Sequence, residues 1–335
     1  MQSERATSFA LLIFIQIKKF LSVLNRRHIR IKVMQSIYAM QQSGTDNLEK
    51  QEKFLQASLE NIVDLYLIML SSLVEIRKKE IEYLDIAQKK HLATPEERNP
   101  NRRFVNNPIL VALDENNSLS IALENRKINN WQANDDTILF LLQDIKQSEL
   151  YQNYMAKKTV TFEEERFFVA DMFSELIAPN EKLYSYLEDF KLTWVDDIPV
   201  VNTQILKQLK QMTADTDSIK VPAIYKDEED KDFASALFRK TVLNDAELTK
   251  EFVDKTPNWD LDRIAELDTI IMKMAICEFL KFPSIPLKVT INEYLELAKE
   301  YSTPKSSIFI NGILDNLVKD FQANDRIKKV GRGLM

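Results

Sequence analysis

Arg26, Arg27 and Arg30 open a segment whose apolar residues, Ile29, Val33, Ile37 and Met40, recur at spacings of three and four. At about 100° per residue the three arginines share one helical arc roughly that wide, and the arc continues as Val33, Met34 and Ile37. A helix that is cationic in its first turns and apolar beyond them can be rooted in a core while its charged end meets phosphate. Arginine suits that contact, because its planar fork grips a phosphate and also stacks on an unpaired base. His28 has no chemical partner legible in the sequence and His91 lies on the polar end of another segment, so no two-histidine metal site is expected. The chain carries no glycine-rich dinucleotide loop, no P-loop, no Cys/His metal spacing and no nucleophile elbow. The expected chemistry is binding without catalysis, cofactor or metal.

The elements that must position these residues are helices. Only four glycines occur in 335 residues, with 45% apolar and 29% charged side chains, a balance that suits long helices better than strands and tight turns. The single cysteine, Cys277, sits in an apolar run and fits a core position in a reducing compartment. The net charge of −6 argues against wholesale coating of nucleic acid, yet the charge is uneven. From Arg5 to Gly44 there are seven Lys or Arg and no Asp or Glu; Arg326, Lys328, Lys329 and Arg332 make a basic tail, and Asp227-Glu228-Glu229-Asp230 is acidic. The apolar run Phe9 to Ile15 is too short to span a bilayer and lacks the form of a secretion signal, so residues 1–22 are expected to be a leader outside the fold of a cytoplasmic protein without a membrane partner.

Along the chain, 25–42 reads as one helix ended by Gly44, and 47–90 as a long helical run with a candidate interruption at Ser71-Ser72. Pro95, Pro100 and Pro108 mark 94–117 as an exposed loop, and shorter helices are expected over 118–130 and 134–157. Phe168, Met172, Phe173, Ile177, Leu183, Leu187 and Trp194 match Phe233, Leu237, Phe238, Val242, Leu248, Phe252 and Trp259 at a constant offset of 65. The match fits a duplicated helical unit or the pattern shared by any two amphipathic helices.

Three ordered motifs fill the last quarter: Asp268, Ile271, Met272, Lys273, Ala275, Glu278 and Phe279 on one helix, then Ile285-Pro286-Leu287-Lys288-Val289-Thr290-Ile291-Asn292-Glu293, then Phe309-Ile310-Asn311-Gly312-Ile313-Leu314-Asp315. Over roughly residues 233–320 they resemble the transcription antitermination factor NusB family, with its D-x-x-I-L-R-x-A-x-x-E-L, I-P-x-K-V-x-I-N-E and F-V-N-G-V-L-D segments. Arg26-Arg27-His28-Ile29-Arg30 followed by Met34-Gln35-Ser36-Ile37-Tyr38 is similar to the family's N-terminal arginines and A-x-Q-A-L-Y. The resemblance implies an all-α, NusB-like helical bundle, enlarged here by an inserted long helical hairpin and by the candidate repeat. The expected segments are 23–160 for the basic helix and hairpin, 161–325 for the NusB-like region and 326–335 for the basic tail.

It also implies a function: an RNA-binding antitermination factor that acts in rRNA transcription on single-stranded boxA-type RNA, with the ribosomal small-subunit protein NusE, inside an RNA polymerase antitermination complex. By the same resemblance Arg26, Arg27, Arg30, Lys305 and Phe309 would contact RNA, and Asp268 would contact NusE. Residue chemistry alone reads Lys273 and Glu278 as salt-bridge or capping groups, Lys288 and Asn292-Glu293 as organisers of the turn after Pro286, and Asn311 and Gly312 as sites of close helix approach. Two other readings stay open. A NusB-like bundle also serves as the RNA-binding domain of an rRNA cytosine methyltransferase, though no segment here supplies the α/β domain that enzyme needs. A helical scaffold or ribosome-assembly factor without boxA binding would use 47–157 as its interaction surface.

Overall fold

The computed structural model describes residues 23–214, 221–253, 255 and 265–334; the leader 1–22, Trp259 and Ile264 lie outside the described residues. Among the described residues every regular element is a helix and no β-strand forms. In chain order they are α1 (Arg26–Gln42), α2 (Leu48–Gln88), α3 (Pro95–Arg98), α4 (Pro108–Asp114), α5 (Asn117–Asn125), α6 (Asn130–Ala133), α7 (Asp135–Gln147) and α8 (Glu149–Ala156). Then come α9 (Phe162–Met172), α10 (Glu181–Phe190), α11 (Ile198–Gln211), α12 (Glu228–Leu243), α13 (Asp245–Val253), α14 (Glu266–Lys281), α15 (Leu287–Tyr301) and α16 (Ser306–Ala323).

Helix α2 runs unbroken through Ser71-Ser72, because each hydroxyl bonds back to its own helix: Ser71 Oγ to Ile68 O at 3.0 Å and Ser72 Oγ to Met69 O at 2.7 Å. It is the one described helix long and apolar enough to cross a membrane, but 78% of its most apolar window is buried within the protein, as for a core helix. The segment 94–117 is not the exposed loop its prolines suggest. Pro95 and Pro108 each start a helix, where the missing N–H costs nothing, and Phe104, Val105, Ile109, Leu110 and Leu113 are buried. The helix expected over 134–157 is broken at Ser148, whose Oγ caps α8 by accepting from Tyr151 N at 3.1 Å.

The described residues form two compact units, one of Glu60–Ile224 with Val23, the other of Leu24–Leu59 with the described residues from Tyr225 onward. In the second unit α14 is the hub: α1, α12, α13, α15 and α16 all pack on it, and Ile270 to Phe279 are buried without a break. In the first, α9 packs between α4 and α11. The offset of 65 carries over to the order of elements, with α9, α10 and α11 matched along the chain by α12, α13 and α14. Phe168 and Phe233, Phe173 and Phe238, Leu183 and Leu248, Leu187 and Phe252, and Ile205 and Ile270 are buried pairwise. The correspondence extends to a polar pair: Glu165 accepts from Asn107, the cap of α4, at 2.6 Å, and Asp230, 65 residues later, accepts from Arg26 at the head of α1 at 2.7 Å.

Candidate functional site

Asn25 caps α1, accepting from His28 N at 3.0 Å, so Arg26 and Arg27 stand in the first turn, where the unpaired N–H groups and the helix dipole favour anions. The loop after α14 and the helix α15 lie opposite. Between them is a cleft of about 690 Å³, lined by Arg26, Arg27, His28, Arg30, Ile285, Pro286, Val289, Glu293, Glu300 and Arg332. Arg27 forks onto Glu293, Nε to Oε2 at 2.9 Å and Nη2 to Oε1 at 3.0 Å. Arg26 donates to Asp230 at 2.7 Å and reaches Glu229 at 2.8 Å, with its guanidinium 5.3 Å from the centre of the Phe233 ring. Their side chains are 29% and 39% exposed, so both remain within reach of a ligand. Hydrogen bonding to Glu293 raises the Arg27 pKa further; for Arg26 partial burial works against the charge, and the bonds to Glu229 and Asp230 outweigh it. Burial, aided by Arg27 and Lys32, lowers the His28 pKa below its ordinary value, which leaves the ring neutral at pH 7.

Arg30 has a different position. Its side chain is 2% exposed and forks onto the fully buried Glu278, Nε to Oε2 at 2.9 Å and Nη2 to Oε1 at 2.8 Å. Glu278 also accepts from Thr290 Oγ1 at 2.6 Å and Tyr294 OH at 3.2 Å, and the guanidinium lies over the Phe233 and Tyr294 rings. Of the three arginines expected to meet phosphate, Arg30 alone is held in a fully buried ion pair. One turn beyond Arg26, the same arc has already passed into the core, and the charge there is matched by a carboxylate from α14.

The remaining predicted residues form a separate set. Asp268, in the first turn of α14, is only 5% exposed; Ser306 Oγ donates to its Oδ2 at 2.7 Å, while its buried Oδ1 has no partner. Ser302 and Thr303, just past α15, reach the same Ser306 hydroxyl at 3.0 and 2.9 Å. Asp268 thus ties the starts of α14 and α16 together. Lys305 is exposed immediately before α16 and Phe309 is half-buried in its first turn. Neither lines the arginine cleft, but α15 joins the two sets: Glu293 and Glu300 face the cleft, and Ser302 follows at its C-terminal end.

The motif of α15 acquires a structural reason. Pro286 starts the helix, Thr290 and Tyr294 reach Glu278, and Glu293 holds Arg27, so the turn is organised by Thr290 and Glu293 while Lys288 and Asn292 stay exposed. Lys273 pairs with Asp245 at 2.7 Å. Gly312 meets nothing within 4 Å, so it permits no close helix contact; Ile310, Ile313, Leu314 and Leu317 form the buried face of α16. Sequence reading missed Glu229, Asp230 and Arg332. The acidic run 227–230 and the basic tail were each visible, but nothing local pairs them with Arg26.

Fold and site define an all-α bundle protein that presents an arginine-lined cleft, its guanidiniums paired with carboxylates, at the head of its first described helix. The NusB family model matches residues 201–319. The chain is 42% identical over 118 residues, 35% of its length and 72% of the relative's, to the transcription antitermination protein NusB of Salinibacter ruber. The protein of that name from Chloroherpeton thalassium is 39% identical over 105 residues, 31% of this chain and 50% of the relative, and that from Clostridium kluyveri 42% over 100 residues, 30% and 62%. No solved structure matches the chain. The chain belongs to the NusB family, with α1 to α10 outside the matched residues.

Proposed function

We propose that this chain is an RNA-binding transcription antitermination factor acting in rRNA transcription in the cytoplasm. It holds boxA-type single-stranded RNA at the Arg26–Arg27 cleft, with Lys305 and Phe309 as further contacts beyond the far end of α15. The observation that carries this reading is the docking of α1 on the family-matched helices α12 and α14, which leaves Arg26 and Arg27 accessible at one cleft. Their carboxylate partners hold each guanidinium in place, and partly exposed ion pairs are worth little enough to be exchanged for phosphate. An aromatic such as Phe309 offers a face on which an unstacked base can rest. NusE is the protein partner within the RNA polymerase antitermination complex. Asp268 serves that contact indirectly, by fixing the starts of α14 and α16 through Ser306.

The test is the double variant Arg26→Ala, Arg27→Ala against a boxA-like oligonucleotide across a salt series. Two lost single-strand phosphate contacts should flatten the dependence of log K on log salt by about 0.7 each. Unchanged affinity and slope, with helicity retained, would place the RNA elsewhere.

A further inference from the structure

The basic tail is not a free arm. Arg326 forks onto Glu251 at 2.8 and 2.6 Å and covers the Phe321 ring. Lys329 Nζ donates to two carbonyls at the end of α14, Glu278 O at 3.2 Å and Phe282 O at 2.9 Å, and Val330 N donates to Pro283 O at 3.0 Å. Two of the chain's four glycines stand in the last five residues. Gly331 takes the left-handed backbone at φ +55°, and a Cβ on Gly333 would lie 2.0 Å from Pro283 O, a backbone atom that cannot yield. The backbone is therefore laid against the loop after α14 at a spacing that only glycine permits. Its result is to carry Arg332 to the arginine cleft, where Nη2 sits 3.3 Å from Glu229 Oε2 while Arg26 holds the other oxygen of the same carboxylate at 2.8 Å.

We propose that residues 326–334 are a strap that adds Arg332 to the cleft as a further phosphate-contacting cation, so that the RNA site is assembled from the head of α1 and from a segment beyond the family-matched residues. This rests on the RNA-binding reading above. The Arg332 side chain is 68% exposed and its contact with Glu229 is long, so it exchanges that carboxylate for a phosphate more readily than the half-buried Arg26 does. Arg26 keeps Glu229 oriented when Arg332 leaves it.

The experiment uses the full chain and titrates a boxA-like single strand at several salt concentrations. Arg332→Ala should weaken binding about fivefold, the loss of one exposed charge contact, and flatten the salt slope by about 0.7. Arg332→Lys should retain the slope, and Gly333→Val, which displaces the strap, should reproduce the alanine variant's slope with helicity unchanged and a lowered melting temperature. Equal affinity and slope for Arg332→Ala, or tighter binding, would overturn the proposal; tighter binding would show a strap that occludes the cleft. Loss of binding in the Arg26, Arg27 double variant but not in Arg332→Ala would sink the strap alone. A wild-type chain that binds no such strand would sink both readings.

Discussion

Replacing Arg30 should damage the fold, not the RNA surface, and the buried pair it forms makes the size of the effect calculable. Arg30→Met removes a cation from a site 1% exposed and leaves Glu278 in the core with only Thr290 and Tyr294 as donors. Breaking a buried, hydrogen-bonded pair from one side costs roughly 3–5 kcal/mol, because the remaining charge is stranded. The two hydroxyl donors place Arg30→Met near the lower end of that range. Glu278→Met belongs near the upper end, since the stranded guanidinium then keeps only the Phe233 and Tyr294 rings and a carboxylate oxygen of Glu293 at 3.9 Å. In the double variant both charges are gone and the main remaining penalty is for the Thr290 and Tyr294 hydroxyls, about 1–3 kcal/mol. It should therefore be more stable than either single variant, a non-additivity that only contacting residues produce. Urea denaturation followed by far-ultraviolet circular dichroism measures all four proteins. RNA affinity, measured where each is folded, should stay close to wild type. A cost below about 1 kcal/mol for Arg30→Met, joined to a loss of RNA binding as large as that of the Arg26, Arg27 variant, would show that Arg30 leaves the core to bind RNA.

Three further outcomes are expected. His28 is neutral at pH 7 through burial and its cationic neighbours Arg27 and Lys32, and a bound phosphate would raise its pKa; RNA affinity should strengthen as pH falls from 7 toward 5.5, and His28→Gln should remove that trend in a fluorescence titration. Asp268→Asn keeps the bond from Ser306 but removes the charge, so NusE binding measured by calorimetry should weaken with little loss of RNA affinity, whereas Asp268→Lys, which buries an unpaired cation, should lower the melting temperature as well; equal NusE affinity for Asp268→Asn would remove this residue from the partner contact. The Cys277 thiol is fully buried and pushed up to about 11 by burial, so Ellman's reagent should label it only after denaturant is added.

Much of this protein was legible in the order of its residues. Helical periodicity, scarce glycine and the motifs around Asp268, Pro286 and Asn311 are local signals, and they marked an all-α chain and its final helices. The prolines misled at 94–117 because a proline that breaks a helix and one that begins it look alike without the neighbouring core. What only the tertiary structure decided was which distant segments meet. Helix α1 precedes the matched residues 201–319 by more than 150 positions, yet it packs on α12 and α14 and draws Arg30 into the core beside Glu278. Arg26, Arg27 and Arg30 are the same residue type on one arc, and their sequence neighbours do not distinguish a phosphate contact from a buried ion pair. The distinction comes from the carboxylates that surround each one, contributed by α12, α14 and α15 and brought close only when the chain folds, because burial and charge pairing depend on distance in space and not along the chain.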